Sequence, residues 1–275
     1  MDFASLINSI LLGIIEGVTE FLPISSTGHL IIATAALQFP PQSYRNTFEI
    51  FIQLGAILAV TVFFARDLLG QARAVTNSDS ARRFWLNVLI AFLPAAVIGF
   101  LFRKQITLYL FKPVVVGVTL LLGGLVFLWV ERRPRPEGKA KLEEITPRDA
   151  LFIGIAQVVS LIPGVSRSAA TILGGMFTGL NRSLATRFSF YLAIPTLGIA
   201  TLYQLFSAVK DGEVHASEIP VFAVGTVVAF VVALVVVAWF LRFVATHSFR
   251  AFGVYRVVAG VIILFLALAT TLLSR

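Results

Sequence analysis

The chain has 275 residues, of which 58% are hydrophobic and 13% are charged, whereas a typical soluble domain has about 25% charged residues. It contains no cysteine, which excludes disulfides, thiolate metal sites and cysteine nucleophiles. The net charge is +8, but the lysines and arginines fall mainly in short loops between apolar runs, so they indicate membrane orientation and anionic headgroups, and we expect no nucleic-acid partner. The composition predicts an all-α polytopic membrane protein.

Six long apolar runs predict helices that cross the membrane completely. Each run has about the 20 residues that a hydrocarbon core requires. The predicted spans are approximately 46–65, 84–102, 110–130, 184–208, 220–241 and 253–273.

Two further apolar segments, 3–38 and 150–180, are interrupted by clusters of proline, hydroxyl residues and glycine. The interruptions lie near Pro23 and near Pro163. At membrane depth such backbone is tolerated only where it is buried in protein or lines a wet cavity. We therefore predict two re-entrant helix-turn-helix hairpins.

Loop charges predict the orientation of these elements. The loop 66–83 and the linker 132–148 are rich in arginine and lysine, which places both in the cytoplasm. The loop 209–219 carries Lys210 with three acidic residues and is expected outside. Segment 150–180 then makes no net crossing. By the same parity, the basic loop 103–112 and both chain ends lie outside.

This topology divides the chain into two inverted repeats, 1–131 and 149–275, joined by the basic linker 132–148. Pro23 precedes Phe48 by 25 residues, and Pro163 precedes Phe188 by the same interval. The pair Gly13/Glu16 similarly resembles Gly154/Gln157. Inverted repeats of this kind bring broken helices together near the bilayer midplane.

The first hairpin carries two carboxylates, Glu16 and Glu20, on one face of a helix. Two carboxylates this close in a low-dielectric site must share a proton, meet a cation or bind a metal ion. A purely structural pair bonded to hydroxyl groups is the alternative. Because ionisable groups are costly at membrane depth, a functional site is the favoured interpretation.

Hydroxyl groups and an imidazole follow Pro23 in the same hairpin. Ser25, Ser26 and Thr27 can cap the next helix, whose N-terminus suits a phosphate group. Capping is favoured for Ser25. Ser26 is the better candidate nucleophile because it is nearer to His29, and either His29 or Glu20 could take its proton.

The second hairpin carries a positive charge, opposite in sign to the two glutamates of the first hairpin. Arg167, between Ser166 and Ser168, can hold a phosphate bidentately while hydroxyl groups donate to its other oxygens. Thr171, one turn further on, can add another donor. The alternative is an internal salt bridge from Arg167 to one of the glutamates of the first hairpin, and both states could occur at different stages.

Two polar residues of the first full span also belong to the candidate site. Glu49 and Gln53 lie one helical turn apart. They are expected either to support the site or to form helix–helix hydrogen bonds.

Residues 16–30 (EGVTEFLPISSTGHL) and 163–171 (PGVSRSAAT) closely resemble the two signature motifs of bacterial undecaprenyl-pyrophosphate phosphatases of the bacitracin-resistance type. The resemblance extends over essentially the whole chain and departs once, with Ala169 where the family usually has glycine. It implies an inverted-repeat fold and hydrolysis of undecaprenyl pyrophosphate to the monophosphate plus phosphate, which recycles the lipid carrier for cell-wall synthesis. It also implies a multi-pass protein of the bacterial cytoplasmic membrane whose site opens to the extracytoplasmic face.

The resemblance further implies a divalent cation, Mg²⁺ or Ca²⁺, for which Glu16 and Glu20 are the expected ligands. The expected partners are the polyprenyl pyrophosphate substrate and membrane lipids, and a homodimer is left open. The catalytic roles carry over onto Glu16, Glu20, Ser26, His29 and Arg167, with Ser25, Thr27, Ser166, Ser168 and Thr171 lining the substrate site.

Two other classes of protein fit parts of the pattern. A lipid-phosphate transporter or flippase would also use inverted repeats and broken helices at a midplane site. It needs recognition groups but no nucleophile and base, so the grouping of Ser26, His29 and Glu20 favours an enzyme. A structural scaffold would not require buried charges of both signs.

Overall fold

The computed structural model describes residues 3–37, 42–132 and 138–273, and within these ranges the regular structure is helical. The predicted all-α class is therefore confirmed. The helices of the described residues are α1 (Phe3–Thr19), α2 (Ser26–Ala36), α3 (Gln42–Phe63), α4 (Ala65–Ala74), α5 (Asp79–Leu110), α6 (Pro113–Glu131), α7 (Pro147–Val159), α8 (Arg167–Phe177), α9 (Arg182–Lys210), α10 (Ile219–Thr246) and α11 (Arg250–Leu273), with one 3₁₀ turn at Leu142–Glu144.

Six helices of the described residues are long and apolar enough to cross a membrane, namely α3, α5, α6, α9, α10 and α11. They correspond to the six predicted spans. Large apolar side chains cover their outer surfaces: Phe100 is 73% exposed, Phe206 67% and Phe265 69%. Such surfaces are typical of helices that face lipid. The chain is therefore a multi-pass membrane protein.

Two of the predicted loops are shorter in the structure than the sequence analysis expected. Helix α5 continues to Leu110, so Arg103 and Lys104 are helical, because no proline or glycine lies between Gly99 and Pro113. The loop 66–83 contains helix α4, which has Asp67 in its first turn and Arg73 in its last. Both charges are placed where the helix dipole favours them.

Two pairs of short helices occupy the positions of the predicted hairpins. Helix α1 has 17 residues and α7 has 13, while α2 and α8 have 11 each. At about 1.5 Å per residue even α1 reaches only about 25 Å, less than a hydrocarbon core of about 30 Å. The lengths agree with hairpins that turn back inside the membrane, and re-entry itself stays a prediction. The last residue of the predicted segment 3–38 lies outside the described residues.

The two hairpins share local features that fit the predicted duplication. Ser25 and Ser166 each end a tip turn with left-handed backbone, at φ 73° and 72°, and each caps the helix that follows. Gly13 of α1 lies against α10, and Gly154 of α7 lies against α5. A Cβ at these two glycines would come within 2.7 Å and 2.6 Å of a carbonyl oxygen of the facing helix. The division into repeats at 131 and 149 stays a prediction.

The described part of the linker 132–148 is held against the second half of the chain. Residues 133–137, which include two of its arginines, lie outside the described residues. Lys139 exchanges backbone hydrogen bonds with Gly179 and Asn181, and its ammonium group contacts Asp149 at 2.5 Å. The linker is thus docked beside the start of α9, close to the first turn of α7.

Small residues allow close contact between α6 and α11, the last spans of the two halves. Gly117 lies against Gly260, and Gly124 lies against Gly253. Close packing through glycines is a common way to hold membrane helices together. It places α11 beside the tips of both hairpins.

Candidate active site

The tips of the two hairpins meet in the interior of the molecule. The Ser168 hydroxyl donates to the carbonyl oxygen of Leu22 at 2.8 Å. The guanidinium of Arg256 in α11, which is completely buried, donates to the carbonyl oxygens of Pro23 at 3.0 Å and Gly164 at 3.1 Å. The N-termini of α2 and α8 are thereby brought together.

One carboxylate joins the two N-termini. Ser26 donates from Oγ to Oε2 of Glu20 at 2.5 Å, and Nη2 of Arg167 lies 3.5 Å from Oε1 of the same carboxylate. Ser26 and Arg167 are the first residues of α2 and α8, so both stand where backbone N–H groups are free to bind an anion. The carboxylate, the hydroxyl and the guanidinium are all buried. The Glu20 carboxylate therefore joins a serine hydroxyl to a guanidinium, groups with the chemistry of a nucleophile and a phosphate ligand.

The remaining bonds of Arg167 fix its direction. Nη1 donates to the carbonyl oxygen of Ser189 in α9 at 3.1 Å, and the guanidinium lies 5.6 Å from the ring centroid of Phe21. Its Nε is buried without a hydrogen-bond partner in the described structure. The internal salt bridge expected as the alternative for Arg167 is thus present, and Nε remains free to donate.

The hydroxyl groups of the second hairpin are engaged with protein atoms. Ser166 caps α8 by accepting from the Ala169 amide, and Thr171 contacts the Ser189 hydroxyl at 2.6 Å. Ala169 itself is 2% exposed, so the tip accommodates its methyl group. In this conformation these hydroxyls hold the tip in shape, and their contact with substrate stays a prediction.

Glu16 is the unsatisfied carboxylate of the site. It is 1% exposed, and its Oε2 has no hydrogen-bond partner in the described structure. Glu20 and Glu49 are close enough that their negative charges repel a negative charge on Glu16. A buried carboxylate oxygen without a partner fits a ligand for a hard divalent cation. No group of three or more His, Cys, Asp or Glu side chains within the described ranges could hold a metal by itself, so substrate or water oxygens would complete its coordination.

A cavity of about 1140 Å³ is lined by some of the candidate groups, among them Glu16, Ser26 and Thr27. Its walls come mainly from α3, α5 and α9. Glu49 and Gln53 line the α3 wall. Gln53 accepts a hydrogen bond from Thr201 of α9 at 2.8 Å, which is the helix–helix bond expected as one of its two roles.

Of the two bases expected for Ser26, His29 and Glu20, the structure bonds His29 to other residues. Its Nδ1–H donates to the carbonyl oxygen of Ser25 at 2.7 Å, and its Nε2 accepts from the hydroxyl of Tyr255. The two rings are stacked with their centroids 5.6 Å apart. Both ring nitrogens are therefore occupied, because α2 directs this side chain towards α11. The base in contact with Ser26 is Glu20.

The sequence analysis missed the residues that α9 and α11 contribute. Ser189 binds Arg167, and Tyr255 and Arg256 bind the first hairpin. Arg256 did carry a signal, because it stands alone as a charged residue between positions 251 and 273. An isolated intramembrane charge is a candidate functional residue by default.

The chain is similar, over most of its length, to one family of proteins and to its members. The sequence model of the family described as bacitracin resistance protein BacA matches residues 9–262. The undecaprenyl-diphosphatase of Albidiferax ferrireducens is 48% identical over 268 residues, covering 96% of both chains. Undecaprenyl-diphosphatase 2 of Rhodospirillum rubrum is 48% identical over 266 residues, again covering 96% of both. Undecaprenyl-diphosphatase 1 of Chromobacterium violaceum is 46% identical over 259 residues, covering 94% of this chain and 95% of the relative.

Proposed function

The chain belongs to the bacitracin resistance protein BacA family, and on this basis we propose that it is a membrane phosphatase that hydrolyses undecaprenyl diphosphate to undecaprenyl phosphate and inorganic phosphate. This reaction returns the lipid carrier to peptidoglycan synthesis and confers resistance to bacitracin. The transporter alternative has no support from the relatives, which are named as diphosphatases.

The observation that carries the proposal is the carboxylate of Glu20, which contacts both Ser26 and Arg167. A transporter needs a phosphate-binding cation but has no use for a hydroxyl held by a base. A carboxylate that accepts from a serine hydroxyl can take its proton as the serine attacks phosphorus. The same residues therefore bind the phosphate and begin the reaction.

The proposed chemistry has two steps. Oγ of Ser26 attacks the terminal phosphorus while its proton passes to Glu20, and the bond from that phosphorus to the bridging oxygen breaks. Undecaprenyl phosphate leaves with the bridging oxygen. Glu20 gives the first proton to the departing bridging oxygen and becomes a base again. It then deprotonates the water that attacks the phosphoserine, and Oγ leaves with the proton taken from that water. The products are inorganic phosphate and the original serine.

Positioning and charge neutralisation supply most of the rate in phosphoryl transfer. The phosphate oxygens would accept hydrogen bonds from Nε and the terminal nitrogens of Arg167. They would also accept from the free N–H groups at the start of α2 and α8. The divalent cation that the family resemblance implies would neutralise further diphosphate charge, with Glu16 as a ligand. In direct water attack, the alternative pathway, Ser26 would only position the water that Glu20 activates.

We further propose that the protein lies in the bacterial cytoplasmic membrane with its cavity open to the extracytoplasmic face. Arg103 near the end of α5 and Glu213 in the loop after α9 line the cavity. The loop charges predict that these ends of both helices lie outside. The polyprenyl chain would remain in the bilayer while the diphosphate enters the cavity.

Phosphate release from undecaprenyl diphosphate by the detergent-purified chain tests the function. We expect release that EDTA stops, and a loss of about a thousandfold or more in turnover for Ser26→Ala and Glu20→Gln. Thr61→Ser, a change on α3 remote from the tips, is the matched control and should retain turnover. A well-folded wild type that releases no phosphate would refute the proposed function.

A second measurement distinguishes the two pathways. Substrate labelled with ³²P in the terminal phosphate should leave label on denatured wild-type protein, but not on Ser26→Ala. Near-normal turnover of Ser26→Ala would rule out the serine as nucleophile and leave direct attack by water.

A further inference from the structure

We propose that the divalent cation of this site is held between Glu16 of α1 and Glu49 of α3, and not between Glu16 and Glu20. The inference rests on the proposed function, because it concerns the cation that assists that reaction. It replaces a pair of ligands from one helix with a pair from two helices that both line the cavity.

Glu20 already has its charge compensated. Its Oε1 faces Arg167 at 3.5 Å, and its Oε2 accepts the Ser26 proton at 2.5 Å. A cation bound to Glu20 would lie beside the guanidinium of Arg167, and the two positive charges would repel each other in a low-dielectric site. It would also compete with Ser26 for the oxygen that takes the proton.

Glu16, unlike Glu20, has no partner among the described residues that compensates its charge. It is 1% exposed, it lines the cavity, and its Oε2 is buried without a hydrogen-bond partner. It forms no ion pair within 4.0 Å with any residue of the described ranges. An ionised carboxylate in this condition is costly unless a ligand binds it.

Glu49 is the second carboxylate directed to the same space. It lines the cavity together with Glu16, and its charge acts on Glu16. Arg45, one turn earlier on α3, offsets part of the charge of Glu49. No comparable cation offsets Glu16 among the described residues. A divalent cation between the two glutamates would compensate both carboxylates at once.

The number and kind of these ligands suit the cation. Mg²⁺ is usually bound through one or two carboxylates together with waters and substrate phosphates. Asn46, one turn before Glu49, also lines the cavity and offers an amide oxygen or a bond to a coordinated water. The diphosphate would supply the remaining oxygens, next to the Ser26 hydroxyl.

Binding of Mn²⁺ to the purified chain without substrate tests this assignment. Electron paramagnetic resonance measures free Mn²⁺ in detergent solution, with Mg²⁺ and Ca²⁺ as competitors. We expect Glu49→Gln and Glu16→Gln each to weaken Mn²⁺ affinity at least about tenfold, a loss that is common for changes around metal sites. Glu20→Gln should weaken it less.

The matched control is Glu213→Gln, which removes another carboxylate that lines the same cavity, from the loop after α9. It should bind Mn²⁺ within about twofold of the wild type. Each Gln variant keeps the size of its side chain, and its thermal unfolding without Mn²⁺ checks the fold.

Two results would overturn the assignment. One is Glu49→Gln with wild-type affinity, or with a smaller loss than Glu20→Gln. The other is Glu16→Gln with wild-type affinity. Because this measurement uses no substrate, its outcome is separate from that of the phosphate-release test. Phosphate release with unchanged Mn²⁺ affinity in Glu49→Gln would keep the function and refute only this site.

Discussion

Replacement of Arg256 by methionine tests whether one buried guanidinium holds the active site together. Its nitrogens donate to the carbonyl oxygens of Pro23, Gly164 and Thr119 at 3.0, 3.1 and 3.3 Å. The first two oxygens belong to the tip turns of different hairpins. Arg256→Met leaves both without this donor while it preserves much of the packing volume.

The expected magnitude follows from the atoms that lose their partner. A buried acceptor left unsatisfied costs about 1–3 kcal/mol, so two such carbonyls cost about 2–6 kcal/mol. The substitution also removes the desolvation cost of a buried cation, which offsets part of this loss. We therefore expect the free energy of unfolding to fall by about 2–3 kcal/mol.

Unfolding by SDS in mixed micelles measures this change. Arg250→Met is the matched control, because Arg250 is exposed at the start of the same helix and its replacement should change stability by less than about 0.5 kcal/mol. Turnover should also fall about a hundredfold in Arg256→Met, since small displacements of reacting groups are costly. If Arg256→Met unfolds at the same SDS fraction as the wild type and keeps its turnover, the guanidinium does not hold the tips.

Two further predictions concern packing and pH. Gly17→Val should destabilise the protein and reduce turnover, because a Cβ at this position comes within 2.8 Å of the carbonyl oxygen of Ala229. Gly70→Ala is the control, because Gly70 has open space around it. It should keep turnover and raise the free energy of unfolding in SDS by about 0.5–1 kcal/mol. Burial raises the pKa of Asp149, but hydrogen bonds led by that from Lys139 outweigh it and lower the pKa below its usual value. This group therefore contributes stability above its unfolded pKa of about 3.9 and loses it as pH falls through the lower folded pKa. Thermal unfolding should show Asp149→Asn less stable than the wild type at neutral pH, with the difference shrinking below about pH 4. A constant difference across that range would contradict the ion pair.

Local sequence accounts for much of the molecule. The apolar runs predicted six spans, because a bilayer selects about 20 consecutive apolar residues. Pro23 and Pro163 marked the two short helix pairs, and Ser25 was correctly expected to cap α2. The salt bridge from Arg167 to the first hairpin was foreseen as an alternative because buried charges of opposite sign tend to pair. In each case the prediction follows from the chemical type of the residues and their spacing along the sequence.

The partners within the site were decided by tertiary structure. Nearness in sequence suggested His29 as the base for Ser26, but α2 directs the imidazole towards Tyr255, and Glu20 accepts from the serine. Arg256 binds Pro23 across 233 positions of the chain. Helical periodicity determines which residues share a face within a helix, whereas contacts between helices depend on how the glycines of α6 and α11 let their backbones approach. Composition and motif thus determined the membrane fold and the candidate reacting groups, and the packing of distant helices decided which of these groups touch.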